Sequence, residues 1–449
     1  MQKTAGGVRS GKTRVTTAAL MTDLHDYYDH DDALSETLAQ DQMTQIRTAL
    51  DLVLGQDRAS FGTGPFSPTL THRKHSTTDP SDMGTGLFMA EMLAACGATA
   101  TIEALRTVLD QESDNIYRLT APLLHVHTAD GAIVTDDLGS PPSVRQQMAH
   151  RVSASPLLGS LHHAFETLAR YSQVLEKTTF LQHVVLLGSA GLFLHVINAA
   201  QREDHDAAGL VPLLFCSQRP SPILQETSRS TVARARQHIE RAFEQGLAGE
   251  LRKRGEDALS PDDYRAWMHI RLPHRGDGSP DARKDDQAWT RFNQDFDAFL
   301  LGGATPFAAF CQAATHASFV VMTESPEMVA QSLGRLCGLV YPRQQGRGDK
   351  YYLPAPQVLD MLVFALIEPH TEITLEEFWD RAAQRFGIIC GARGRTDMAY
   401  LSAWGVQTVP PAHLARNSRA LLTELIRMGH VHEYADDIAM IRAGGMRND

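Results

Sequence analysis

The sequence predicts a mainly α-helical protein, with a multi-helical N-terminal body and a smaller C-terminal module that ends in a β-hairpin. Apolar residues recur at helical spacing in most segments, and several of these segments begin at proline. The chain has 449 residues, of which 43% are hydrophobic and 21% are charged. This composition is typical of soluble globular proteins, and the length is sufficient for two or three domains.

Composition divides the chain into five parts. A polar run that contains Gly, Pro and several charged residues extends from His274 to Asp286 and predicts a linker. Asp130-Gly131 lies between two short apolar runs and favours a hairpin turn. The predicted parts are a flexible acidic tail (1–33), a helical body with a small hairpin (34–273), the linker (274–288), a helical segment that packs on the body (289–342) and the C-terminal module (351–443).

The C-terminal module has the most regular pattern in the chain. Thr374 and Glu377 form a Thr-x-x-Glu capping box, and Gly387 follows as a candidate left-handed helix end. The predicted elements are helices at about 356–367, 374–387 and 411–428, then a hairpin that pairs 431–434 with 438–441. Three helices followed by a hairpin is the order of a winged helix, so we expect a winged helix-turn-helix domain.

Positive charge is concentrated in this module. Between Arg381 and Arg427, seven arginines against two acidic residues give +5 within a chain of net charge −11. A winged helix typically inserts its third helix into the DNA major groove, where arginines contact phosphates and base edges. We therefore expect double-stranded DNA as a partner. The candidate contacts lie on the third helix and on the loop before it: Arg416, Asn417, Arg419, Arg393 and Arg395.

A second interpretation is a purely structural adaptor that binds another protein. The nearby acidic residues could pair with the same arginines: Glu372, Glu376, Glu377 and Asp380. A second basic stretch, between Arg229 and Arg254, is open to two interpretations. It is either a solvated helix surface or the position of a second phosphate contact.

A third interpretation is a nucleotide-using enzyme. Residues 6–13 match the P-loop pattern, with Gly6, Gly11, Lys12 and Thr13 at its fixed positions. A working P-loop lies between a buried strand and a helix, and the five residues before Gly6 are a poor buried strand. We therefore expect Lys12→Ala to leave ATP binding and activity unchanged.

No arrangement of catalytic or metal-binding side chains stands out in the sequence. The segment His25–Asp32 is expected to be a solvated acidic run, and His125 and His127 lack a third ligand. The five cysteines are far apart and no signal peptide is evident, so we expect a cytoplasmic location. The apolar stretch 178–200 contains Gln, His and Asn, which favours a buried helix over a membrane span. We expect no metal, no cofactor and no catalytic activity.

Several short motifs lie in the last hundred residues: Leu353-Pro354-Ala355-Pro356, Phe378, Arg385-Phe386-Gly387-Ile388, Asn417, Gly429 and Asp436-Asp437. With them this region resembles winged-helix modules. The layout of the chain also resembles, more distantly, accessory proteins of bacterial anti-phage gene clusters, which are encoded beside large ATPases or DNA-modification enzymes. The resemblance implies a non-catalytic subunit of a multi-protein defence complex. Such a subunit recognises DNA or docks a protein partner, an ATPase of the same gene cluster being one example.

Overall fold

The structure is a computed structural model that divides into two compact units, residues 1–152 and 153–449. It describes residues 89, 92–94, 97–109, 150, 155, 157–200, 209–272, 280–322, 325–344, 348–407, 409–434 and 439–443. In the first unit, helix α1 (Thr99–Leu109) buries Thr101, Ala104 and Val108 at helical spacing. The predicted tail (1–33), the predicted hairpin around residue 130 and the P-loop motif all lie outside the described residues.

The second unit is mainly helical, which confirms the predicted fold class at that level. Its helices are α2 (Leu158–Ala169), α3 (Lys177–Ile197), α4 (Pro222–Lys253), α5 (Pro261–Arg271), α6 (Pro280–Leu301), α7 (Pro306–Val321), α8 (Pro326–Leu336), α9 (Pro356–Leu366), α10 (Leu375–Phe386), α11 (Arg395–Ala403) and α12 (Pro411–Arg427). Its strands are short: β1 (Leu213–Leu214), β2 (Val340–Tyr341), β3 (Tyr351–Tyr352), β4 (Ile373–Thr374), β5 (Ile388–Ile389), β6 (Val431–Glu433) and β7 (Ala439–Ile441).

Local sequence determines where these helices begin. Seven of the described helices start with proline, whose fixed φ suits the first helical position. The side chains of Ser260, Thr305 and Ser325 cap α5, α7 and α8 by accepting from the backbone N–H three residues later. The predicted N-cap of α10 is also confirmed, since Thr374 accepts from the Glu377 N–H at 3.1 Å. The return bond of the predicted capping box, from the Thr374 N–H to the Glu377 side chain, is not found among the described residues. Gly387 ends that helix with φ of 70°, as predicted.

The predicted linker (274–288) is wrong over residues 280–288, because helix α6 begins at Pro280. Ala288, Phe292 and Phe296 are fully buried at a spacing of four residues. Asp285, one turn before Ala288, is only 7% exposed. The packing stripe therefore extends into the charged stretch, where Arg283, Lys284 and Asp286 are exposed.

The second unit begins at Ser153, so the predicted body (34–273) is not a compact unit of its own. The C-terminal module belongs to the same unit as residues 153–350, because strand pairing joins them. β1 and β5 pair in parallel, with Leu213 opposite Ile388. The Leu213 N–H donates to the Gly387 oxygen at 2.9 Å. The Tyr171 hydroxyl, at the end of α2, donates to the Ile367 oxygen at 2.8 Å.

The second unit contains two described apolar clusters besides the packing of α3 against α9. One joins the end of α4 to α5, α6 and α7 around Tyr264, Phe292 and Phe310. The other joins β1 and β5 to α11 and the start of α12 around Leu214 and Leu414. The second cluster positions the surface of α12 that carries the predicted DNA contacts.

The C-terminal elements follow the order α9, β4, α10, β5, α11, α12, β6, β7. The strands β4, β7 and β6 form an antiparallel sheet with β7 in the centre, where Ile441 lies opposite both Ile373 and Val431. The three predicted helices and the hairpin strands are present. The sequence did not predict α11, a nine-residue helix between the second and third of those helices.

Candidate nucleic-acid interface

Helix α12 has one buried face and one exposed face. The buried side chains are Leu414, Asn417, Ser418, Leu421 and Leu425. The exposed positions include Ala412, Ala415, Arg416, Arg419 and Thr423. Arg416 and Arg419 are three residues apart, so their side chains project from neighbouring turns of the same surface.

Arg416 and Arg419 form no ion pair among the described residues, unlike several other arginines of the module. Arg381 donates to Glu377 at 2.6 Å, and Arg427 donates to Glu424 at 3.0 Å. The formal charge of +5 therefore overstates the charge that is available for a ligand. Arg416 and Arg419 are the arginines of α12 whose charge is not balanced by a nearby carboxylate.

Asn417 is buried, so its prediction as a DNA contact is wrong. The residue is 2% exposed. Its Nδ2 donates to the carbonyl oxygens of Phe215 at 2.7 Å and Cys390 at 3.0 Å. Its Oδ1 accepts from the Ser217 N–H at 2.8 Å. Consecutive helical residues differ by about 100° in direction, so Asn417 points inward while Arg416 points outward.

Arg393 is also unavailable to DNA, and that prediction is wrong as well. Its side chain is 9% exposed, with Nε 2.7 Å from Asp397 Oδ1 and Nη1 3.1 Å from Asp380 Oδ1. Burial disfavours its charge, but the carboxylates of Asp397 and Asp380 raise the pKa of Arg393 above its ordinary value. The Arg393 guanidinium therefore holds the loop after β5 through Asp397 and Asp380 and is not available to a ligand.

Arg395 lies at the exposed first position of α11, where it forms no ion pair with the described residues. The loop that carries it packs on the first turn of α12. A Cβ at Gly391 would lie 2.6 Å from both Cβ and the carbonyl oxygen of Leu414. Gly391 also has φ of 95°, which favours glycine. The structure thus leaves Arg395, Arg416 and Arg419 as exposed candidates.

The second basic stretch, on α4, is largely paired within the protein. Arg236 Nε lies 3.0 Å from Glu327 Oε2. Arg234 donates to the Gly405 oxygen at 2.9 Å, which joins α4 to the loop after α11. This pairing favours the solvated helix surface over a second phosphate contact.

Three polar side chains that the sequence analysis did not single out anchor the module. His183 Nε2 on α3 lies 2.9 Å from Asp360 Oδ2 on α9. His430 Nε2, just before β6, lies 2.7 Å from Asp360 Oδ1. Burial would raise the pKa of Asp360, but the hydrogen bonds from His183 and His430 hold this pKa below its ordinary value. Asp360 is the single charged residue of α9, in an otherwise largely apolar stretch, which could have indicated a buried polar partner. His183 and His430 have polar neighbours in the sequence and gave no such indication.

Neither a metal-binding cluster nor a cysteine of lowered pKa is found among the described residues. No group of three His, Cys, Asp or Glu side chains among them could hold a metal ion. Cys216 and Cys311 are buried, and burial raises the pKa of each thiol to about 12, so neither is a ready nucleophile. Nucleotide binding through Gly6, Gly11, Lys12 and Thr13 stays a prediction, because the motif lies outside the described residues.

Comparison with known proteins identifies no relative. The chain matches no protein-family model, no curated protein and no solved structure. One described helix, α3, is long and apolar enough to cross a membrane, and 56% of its most apolar window is buried inside the structure. Geometry and charge are therefore the basis for a functional proposal.

Proposed function

We propose that residues 356–441 form a winged helix that binds double-stranded DNA through α12, and that the protein is a non-catalytic subunit of a multi-protein complex. The element order supports the first part. A short strand, β4, separates the first two helices and pairs with the last strand of the hairpin. The segment of β5 and α11 is an insertion before the third helix.

The exposed pair Arg416 and Arg419 carries the proposal. Arg416 lies in the first half of α12, the part of a recognition helix that typically contacts base edges, and Arg419 lies at the midpoint of the helix. Ala412 and Ala415 are small and exposed, so the helix backbone can approach a groove closely. Arg395, at the start of α11 after the loop that packs against α12, is the candidate for a flanking phosphate contact.

The negative net charge of the chain restricts any DNA contact to a local surface around α12. The chain has a net charge of −11, which opposes nonspecific attraction of DNA to the whole molecule. A local contact by a few arginines should still release counterions and weaken as salt rises. The test is the anisotropy of a labelled duplex titrated with the full chain at about 50 to 300 mM salt. Absence of binding at the lowest salt would contradict DNA binding.

Protein binding without DNA is the second candidate function. Leu336, at the end of α8, is 85% exposed, and Tyr341 in the following strand is 40% exposed. Large apolar side chains exposed close together in the chain are typical of protein contacts when they form one patch. Arg381 and Arg427 pair with carboxylates of the protein, which leaves less positive charge for DNA and agrees with an adaptor function. A partner that co-purifies after nuclease treatment would favour this function, and an ATPase is the partner that the resemblance implies.

A further inference from the structure

A cleft of about 520 Å³ lies between α4, α8 and the β2–β3 hairpin. This volume falls within the range of small-molecule sites in proteins. Its walls are formed partly by short side chains, Ser230 and Ala233 on α4 and Ala330 on α8.

The lining of the cleft includes apolar side chains. Phe193, Ile197, Val340 and Tyr352 all border it. The rings of Phe193 and Tyr352 pack edge to face, with their centroids 6.3 Å apart. Because these four side chains are only 1–3% exposed, they form a rigid floor beneath the cleft and present little surface to a ligand. Val232 and Ala233 on α4 are the more accessible apolar side chains of the lining.

Two of the cations that line the cleft already have acceptors. Arg236 pairs with Glu327, whose side chain is 14% exposed. Lys350 donates from Nζ to the carbonyl oxygens of Pro342 at 2.9 Å and Gln344 at 2.8 Å. These groups hold α4 to α8 and close the hairpin. Arg236 and Lys350 therefore stabilise the walls of the cleft.

Arg229 is the least compensated cation of the lining. Its Nη1 lies 3.0 Å from Glu226 and 3.8 Å from Asp349, whose side chains are 66% and 82% exposed. Its Nε is buried and has no hydrogen-bond partner among the described residues. Exposed ion pairs contribute little, so a ligand anion can replace these surface carboxylates at small cost. The planar guanidinium also matches the two oxygens of a carboxylate or phosphate.

We propose that this cleft binds a small amphipathic anion, with its apolar body against Val232 and Ala233 and its carboxylate or phosphate on Arg229. The site is separate from α12 and does not depend on DNA binding.

Calorimetric titration of the full chain tests this site with four probes. 1-Naphthyl phosphate and 1-naphthoate carry the same apolar body with different head groups. 1-Naphthol has the body without the anion, and inorganic phosphate has the anion without the body. We expect saturable binding of at least one naphthyl anion, and the tighter of the two identifies the head group. Failure of both to saturate, or equal affinity for 1-naphthol, would overturn the proposal.

Three variants and one control variant locate the binding. Arg229→Gln should weaken the naphthyl anion at least tenfold, and Arg229→Lys should weaken it less because the charge remains. Ala233→Leu, at an exposed helical position, should abolish binding by filling the cleft. Arg254→Gln, at the exposed end of α4, is the matched control and should bind normally. Circular dichroism and thermal melting verify folding of each variant. Unchanged affinity in both Arg229→Gln and Ala233→Leu would contradict the site.

Discussion

The amide nitrogen of Asn417 donates to the carbonyl oxygen of Phe215 at 2.7 Å, although the two residues are 202 positions apart. The same side chain also bonds to the Cys390 oxygen and the Ser217 N–H. One buried amide thus fixes the rotation of α12 relative to β1 and to the loop after β5. That rotation determines which residues of α12 face outward, and Arg416 and Arg419 are among them.

Replacing Asn417 with leucine should destabilise the protein strongly. The variant leaves two carbonyl oxygens and one N–H buried without a partner, and each unsatisfied group costs about 1–3 kcal/mol. We expect a loss of about 3 kcal/mol in the free energy of unfolding. Urea denaturation measures it. Thr423→Ala, on the exposed face of the same helix, is the control and should change stability by less than about 1 kcal/mol. Equal stability of Asn417→Leu and the wild type would contradict the assigned hydrogen bonds.

The Arg393–Asp397 ion pair should be strongly coupled. Both side chains are buried, at 9% and 1% exposure, so Arg393→Met leaves the Asp397 carboxylate without a cation among the described residues. Asp397→Leu leaves Arg393 its pair with the more exposed Asp380. Arg393→Met should therefore cost about 3–5 kcal/mol, Asp397→Leu should cost less, and the double variant should cost less than the sum. A double-mutant cycle by urea denaturation measures the coupling. Additive effects would show that the pair does not act as a unit.

Asp360 should make stability depend on pH in the acid range. Its folded pKa is held below the ordinary value, so the unfolded chain takes up a proton first as the pH falls. The stability that Asp360 contributes is therefore present above about pH 4 and is lost below it.

Asp360→Asn tests this dependence. At pH 7 the variant should be less stable by about 1–2 kcal/mol, after allowance for solvent screening of a partly exposed carboxylate. The difference from the wild type should shrink as the pH falls from about 5 to 3. Denaturation at several pH values measures it. A difference that stays constant or grows in acid would contradict the ionised Asp360 between His183 and His430.

Local sequence was sufficient to predict the elements that short-range rules control. Thr374 and Gly387 delimit α10 as expected, since a cap and a left-handed residue act within a few positions. Proline at residues such as 306 and 411 likewise marks true helix starts. The three helices and the hairpin of the C-terminal module could therefore be predicted. The polar composition of residues 280–288 was misleading, because only tertiary packing shows that Asp285 and Ala288 face a core.

The candidate site was only partly predictable. Arg416 and Asn417 are adjacent in sequence, yet one is exposed and the other is buried against Phe215. Periodicity alone did not separate them, because the partners of Asn417 lie on distant segments. Arg393 fails as a DNA contact for a similar reason, since its pairing with Asp380 depends on the fold of an insertion that the sequence did not show.

Binding of a labelled duplex by the Arg416→Ala/Arg419→Ala variant tests DNA recognition by α12 most directly. Each phosphate contact contributes about 0.9 to the slope of log affinity against log salt. If both arginines contact phosphates, the double variant should bind more weakly and its slope should be shallower by about 1.8. Arg254→Ala, at the exposed end of α4, is the matched control and should behave like the wild type. Unchanged affinity and slope in the double variant would contradict DNA binding by α12.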